Sequence, residues 1–390
     1  MTEHISNQIT TAIRNVIGEK PAALHEPEFG ELDYKNLISC LDTGYVSSVG
    51  EYVEKFEKSI EGYTGAKYAI AVVNGTSALH AALKIAGVGP MDEVLVPTLS
   101  FVATANAVMY CGAIPHFIDA EEEALGINIP KLRKYLQEYT IQANKVCINK
   151  LTKKIIRAII PMHAFGHPVD MFELGKICEE FNILIVEDAA EALGSHYQGA
   201  HVGTFGVMGV LSFNGNKIIT TGGGGAILTN NEEIAAKLKH ITTTAKIKHV
   251  WEYRHDEVGF NYRMPNLNAS LGCAQLARLT EKLEKKKKLH ESYRQQFESV
   301  LGARLVTAKS GTMPNYWLET LVLSDELSSD LGSILIKLND AGYMSRPVWT
   351  PLHKLRPYVI MPKMDLTVAN SLEKRIINIP SSPNLSSRLT

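Results

Sequence analysis

The chain has 390 residues, 45% hydrophobic and 21% charged, with a formal net charge of −1, a composition that fits one large and one small globular domain. It shows no basic footprint for nucleic acid, no run near the ~20 apolar residues that span a bilayer, and no signal-peptide pattern in MTEHISNQIT. Five scattered cysteines without CxxC spacing suit reduced thiols, so a cytoplasmic chain without disulfides, structural zinc or membrane contact is expected.

In chain order, Ile5, Ile9, Ala12, Ile13, Val16 and Ile17 recur at helical spacing and predict an amphipathic helix. Leu32 to Leu41 and Tyr52 to Tyr63 predict two more, stopped by Gly44 and Gly65, with TGYVSSVG as the loop between them. From Tyr68 the rhythm becomes strand, loop, helix. YAIAVV is a strand, Asn74-Gly75 a turn, and TSALHAALKIAG a helix capped by Thr76 or Ser77. EVLVP, PHFID, RAIIP and ILIVE continue the strands, while 130–139 and 168–181 read as helices. Such alternation predicts an α/β fold with a mostly parallel, helix-covered sheet. His163 and His167 stand four apart, a spacing that could chelate a metal on a helix. Gly166 and Pro168 break that helix and no third ligand is evident, so no metal is expected.

Two stretches carry chemistry. ILIVEDAAEALGS places Asp188 at the carboxyl end of a buried strand, where α/β sheets bind ligands. Lys217 follows 29 residues later in VLSFNGNKIITTGGGGAILT, between small polar residues and Ile218-Ile219. A lysine there must be neutralised, paired or used covalently, and four consecutive glycines mark a sharp turn or a close approach. The pair fits a pyridoxal phosphate (PLP) site. The acid keeps the pyridine nitrogen protonated, so the ring serves as an electron sink, and the lysine holds the aldehyde carbon. No GxGxxG follows a strand, which disfavours a nicotinamide dinucleotide.

Beyond Thr229, NNEEIAAKLKHI reads as a helix and Lys246 to His255 as a polar loop. A long helix then carries the EKKKK run, Glu284 to Lys288, whose simplest reading is a solvated face. From about Val300, short strands such as NYWLETLVL alternate with helices near Asp330 to Ala341 and Thr367 to Ile376.

The motifs NGTSALH, PTLSFVATANA, EDAAEALGS, LSFNGNK and GFNYRMPNLNAS lie in order over nearly the whole chain, and with them the sequence resembles the DegT/StrS family, sugar-nucleotide aminotransferases of fold type I. The resemblance implies PLP as cofactor, Lys217 as the Schiff-base lysine and Asp188 as the partner of the ring nitrogen. It implies phosphate contacts from Gly75, Thr76, Ser77 and Ser212, and from Asn261 reaching into a neighbouring subunit, hence a homodimer with shared sites. Phe101 matches the aromatic that stacks on the ring. Glu191 stands where the family often has Gln, near the ring's 3′-oxygen, and a carboxylate there would favour a protonated partner. His163, Arg263, Arg346, Trp349 and His353 are candidates for the substrate side, with packing an equal reading for Arg346 and Trp349. The expected organisation is a helical segment over 1–45 packed on the small domain, a PLP-binding domain over 46–265 and a small domain over 266–390.

Lys217 argues against the branch of the family that replaces the lysine with histidine and dehydrates sugars. ALHEPEF, TGYVSSVG and SFNGNKIITTGGGG look most like enzymes supplying amino sugars for legionaminic acid or bacillosamine. That likeness implies L-glutamate as donor, a UDP-linked 4-keto-6-deoxy N-acetylhexosamine as acceptor, and surface glycan as the destination. A PLP enzyme acting on amino acids alone and a non-catalytic regulatory member are the rival readings.

Overall fold

The computed structural model describes residues 2–388. Helix α1 (Thr2–Ile17) buries the expected stripe, with Ile9, Ile13 and Ile17 fully enclosed. Helices α2 (Glu31–Thr43) and α3 (Glu51–Thr64) end where Gly44 and Gly65 take left-handed conformations that a side chain would oppose. Among the described residues no helix is long and apolar enough to cross a membrane.

The chain then alternates β1 (Tyr68–Val72), α4 (Gly75–Ile85), β2 (Glu93–Pro97), α5 (Val102–Tyr110), β3 (Ile114–Ile118) and α6 (Ile129–Tyr139). A hairpin of β4 (Thr140–Ala143) and β5 (Val146–Asn149) follows, then β6 (Ile155–Ile159), α7 (Met171–Phe181) and β7 (Leu184–Asp188). After the two-residue strands β8 (His196–Tyr197) and β9 (Ala200–His201) come β10 (Met208–Ser212), β11 (Gly225–Thr229) and α8 (Glu232–Thr242). The main sheet runs β1-β11-β10-β7-β6-β2-β3, with the β4–β5 hairpin attached to β6. Only β11 opposes its neighbours along that path, so the sheet is mixed but mostly parallel. The carboxyl ends of β7 and β10 lie side by side, with Val210 opposite Asp188, so that the acid and the lysine-bearing loop leave the same edge. Where the sequence read as one polar loop, β12 (Lys246–Ile247) and β13 (Arg254–His255) form a short ribbon.

Helices α9 (Asn266–Ala277) and α10 (Leu279–Phe297) lead to a second sheet. It is built from β14 (Ala303–Leu305), β16 (Glu319–Leu323), β17 (Arg346–Pro347) and β18 (Ile376–Ile379), in the order β14-β16-β18-β17, while β15 (Thr312–Met313) pairs with β8. Helices α11 (Leu331–Asp340) and α12 (Thr367–Leu372) complete the small domain. The last helix is shorter than expected, because Ile376 opens a buried strand rather than closing a helix.

Helix α1 shares a core with Leu289, Tyr293, Leu321 and Ile377. Helix α2 packs instead on α9, and Cys40, Ala269 and Leu276 belong to the large core. The first two long helices thus pack in different cores, and α10 passes from one to the other, with Leu279 in the large core and Leu289, Tyr293 and Phe297 in the core that holds α1. The EKKKK run is also not uniformly solvated. Lys286 is wholly buried, its Nζ donating to the carbonyls of Trp317 and Ser381, and burial pulls its pKa down to about 7.

Candidate active site

A cavity of about 310 Å³ opens at the carboxyl edge of the main sheet. Its floor is Asp188, 4% exposed, with Oδ2 accepting the Thr104 hydroxyl at 2.8 Å and Oδ1 accepting the Ala190 amide at 3.2 Å. Burial raises the Asp188 pKa, opposed by those two donors and by the charge of Lys217. A carboxylate in this position is stabilised by a cation placed against it.

One end of the cavity is the start of α4. Asn74, not Thr76 or Ser77, caps this helix, its side chain accepting the Ser77 amide at 2.8 Å. The helix therefore begins at Gly75, and the amides of Gly75 and Thr76 lie in a first turn that offers no intrahelical acceptor. Gly75 and Thr76 line the cavity together with Ser212. The Ser77 amide is spent on the cap, and its side chain does not line the cavity. Strand β11 backs closely onto this turn: a Cβ on Gly225 would lie 2.6 Å from the Asn74 carbonyl carbon. The glycine run is thus explained in part by the approach of β11 to the α4 turn.

Lys217 stands on the turn after β10, its side chain 13% exposed, with Nζ 3.2 Å from Glu191 Oε1. The same nitrogen lies 3.9 Å from the ring centroid of Trp317, whose Nε1–H donates to the Asn216 carbonyl at 2.7 Å. Trp317 joins the cavity from the small-domain side across 100 residues of sequence. Phe101, half exposed ahead of α5, lines the rim. Trp349 lines the cavity too and stacks on Phe165, with centroids 4.8 Å apart.

The other sequence candidates lie elsewhere. His163 is fully buried and does not line the cavity. Its Nδ1 accepts the Val169 amide at 3.1 Å, which leaves the proton on Nε2, 3.2 Å from Glu187 Oε2. His163 thus stands behind the cavity wall, its ring bracing β7 behind Asp188. His353 is likewise turned aside, its Nδ1 2.7 Å from the Thr98 hydroxyl. Arg346 is exposed and lies off the cavity wall, its guanidinium donating to the neighbouring Ser345 carbonyl. Asn261 and Arg263 pair with each other, at 3.1 Å, outside this cavity. Thr104, Asn74 and Trp317 were not anticipated. Thr104 and Asn74 sit inside motifs already singled out, whereas nothing local in NYW marks Trp317.

The residues fit pyridoxal phosphate. A buried carboxylate suits a protonated ring nitrogen, a helix start with a serine hydroxyl suits a phosphate, and a lysine amine stands within the same cavity. Fold and site define a PLP-dependent aminotransferase of fold type I.

The model of the DegT/DnrJ/EryC1/StrS aminotransferase family matches residues 27–389. The chain is 37% identical over 358 residues to the GDP-perosamine synthase of Caulobacter vibrioides, covering 91% of each chain. It is 34% identical over 365 residues to that of Vibrio cholerae, covering 93% of this chain and 94% of the relative. The solved structure of Helicobacter pylori PseC, an aminotransferase involved in the biosynthesis of pseudoaminic acid, matches with a TM-score of 0.85 at 23% identity. It covers 95% of this chain and 98% of that one, a likeness that speaks for the fold. The chain belongs to the DegT/DnrJ/EryC1/StrS aminotransferase family.

Proposed function

We propose that the chain transfers an amino group from L-glutamate to a 4-keto-6-deoxy sugar carried on a nucleoside diphosphate, for surface-glycan synthesis. The observation that carries this reading is the convergence of Lys217, Asp188 and the α4 start on one cavity. Bound PLP supplies an aldehyde that takes up amines and a ring that accepts electrons. In this reading Lys217 carries the cofactor covalently. With PLP bound, its uncharged amine would serve as the base for the proton on the donor's α-carbon. Asp188 would keep the ring nitrogen protonated, and Phe101, on the cavity rim, would pack against the ring. Gly75, Thr76 and Ser212 hold the phosphate.

For the acceptor, the motifs ALHEPEF and TGYVSSVG support a UDP-linked 4-keto-6-deoxy N-acetylhexosamine, of the kind used for legionaminic acid or bacillosamine. The relatives named GDP-perosamine synthases, 37% and 34% identical, support a GDP-linked keto sugar as the second reading. Incubating the PLP-loaded chain with L-glutamate and each keto sugar nucleotide, with products read by mass, separates the two. Turnover of amino acids alone, with no amino sugar formed, would overturn both.

The proposed unit is a homodimer with shared sites. Asn261 is exposed outside its own chain's cavity, and the nearby segment presents Trp251 and Tyr253 at 76% and 84% exposure. That surface is apolar beyond what a free loop needs and suits a second copy of the chain.

A further inference from the structure

Glu191 is held in one orientation. It is 5% exposed, and its Oε2 accepts the Phe165 amide at 2.9 Å, which leaves Oε1 to face Lys217 Nζ at 3.2 Å. Phe165 presents that amide from a left-handed backbone, φ 55°, a conformation that costs a bulky residue on the order of 1–3 kcal/mol. Neighbours keep it there. Ser195 Oγ donates to the Gly166 carbonyl at 2.7 Å, and Asn315 Nδ2 donates to the carbonyls of Glu191 and Leu193, each at 2.9 Å. The Trp317 amide closes the knot on Asn315 Oδ1 at 2.8 Å. The carboxylate is therefore aimed at the amine by a strained turn and by the segment that brings in Trp317.

The charged groups facing Glu191 are Lys217 and Asp188, with the Phe165 amide as its further donor. His25 lies beyond Lys217, and burial together with Lys286, Lys282 and Lys217 keeps it uncharged. When Lys217 loses its charge, no second cation among these groups replaces it beside Oε1. A buried carboxylate left without a cation takes a proton, and burial already pushes Glu191 upward.

We propose that Glu191 stores the proton that Lys217 gives up when its amine joins the cofactor's aldehyde carbon, and returns it when the amine is released. Of the three ammonium hydrogens, two leave with the carbonyl oxygen as water, and the third passes from Nζ to Glu191 Oε1. Nothing is oxidised or reduced. The proposal rests on the reading of Lys217 as the cofactor-carrying lysine.

The test uses the full chain stripped of cofactor, wild type and Glu191→Gln, with PLP as the probe. Gln keeps the shape and can still accept the Phe165 amide, and thermal melting verifies that the variant folds. Protons released on binding are counted by calorimetry in two buffers of different ionisation enthalpy, from about pH 6 to pH 9. A difference infrared spectrum is recorded alongside. The expected result is up to one more proton released by Glu191→Gln, and a protonated-carboxyl band that appears in the wild type only. Equal proton counts at every pH, or no such band in the wild type, overturn the proposal. Borohydride reduction and peptide mass report the reading beneath it. An adduct on Lys217 with equal counts overturns the proton store alone, and no adduct on Lys217 overturns both.

Discussion

The Lys217 amine nitrogen lies 3.9 Å from the centroid of the Trp317 ring, while Glu191 Oε1 stands 3.2 Å away. A charged amine thus meets an aromatic face as well as a carboxylate. The two contacts hold the amine in place when it is not bonded to the cofactor. A desolvated cation–π contact is worth about 2 kcal/mol, which corresponds to about thirtyfold in rate. Trp317→Leu should therefore lower kcat/KM by about tenfold to thirtyfold, and Trp317→Phe, which keeps a ring, by about threefold. Steady-state kinetics on variants matched for thermal stability would reveal the order, and equal losses would remove the ring from the account.

Asp188 is expected to act through its charge. Asp188→Asn should lower kcat by about 10²-fold or more while PLP affinity falls less, because the phosphate contacts remain. Thr104→Val removes the hydroxyl that donates to Oδ2 and should cost about tenfold, from one lost charge-assisted hydrogen bond. Turnover within twofold of wild type for Asp188→Asn at saturating PLP would refute the role.

Sharing of the site can be tested by mixing two dead variants. Lys217→Ala lacks the amine. Asn261→Asp sets a carboxylate against a phosphate. If Asn261 serves the neighbouring chain, a mixed dimer has one doubly damaged site and one intact site, and activity returns on co-expression. If it serves its own chain, every site carries one lesion and no activity returns. An active Asn261→Asp variant on its own would mean that Asn261 does not meet the phosphate at all.

Stability should fall in acid through buried histidines. His201 accepts the Gly194 amide on Nε2 and bonds the Val202 carbonyl through Nδ1, an arrangement that needs the neutral ring. Burial and the neighbouring His196 pull its pKa down to about 3, and His167 is likewise lowered to about 3. The unfolded chain binds these protons near pH ~6.5, so the contribution is complete above that value and is lost progressively as pH falls toward about 3. His201 alone should cost about 2 kcal/mol by about pH 5. The urea midpoint should be lower at about pH 5 than at about pH 7, and His201→Gln should reduce the difference without abolishing it. An unchanged difference in the variant would show that this ring is not responsible.

The strand–helix rhythm, the acid at the end of β7 and the lysine beyond β10 were legible because each is written in adjacent residues. Three kinds of feature were not. Asn74, Thr76 and Ser77 can all cap a helix, and only the bond from the Ser77 amide to the Asn74 side chain decides among them. Trp317 reaches Lys217 through tertiary packing of the small domain, which no local pattern encodes. Lys286 has the composition of a solvated face, yet two main-chain carbonyls hold it inside. The β4–β5 hairpin went unread because its pattern is inverted, with polar Thr140 and Asn149 buried and Ile141 exposed, and the buried polar knot of Glu93, His116 and Asn149 comes from three separate segments.

The interior placement of Lys286 divides the tolerance of a single basic run. Lys287 and Lys288 project into water, and charge reversal there changes little beyond solubility. Lys286→Glu would set a buried anion against the carbonyl oxygens of Trp317 and Ser381, a repulsion with no solvent to relieve it. The same carbonyl of Trp317 belongs to the residue whose ring touches Lys217, so the damage would reach the amine without altering any group in the cavity. Surface-charge engineering of this helix must therefore spare Lys286, and with it Lys282, which is buried as well.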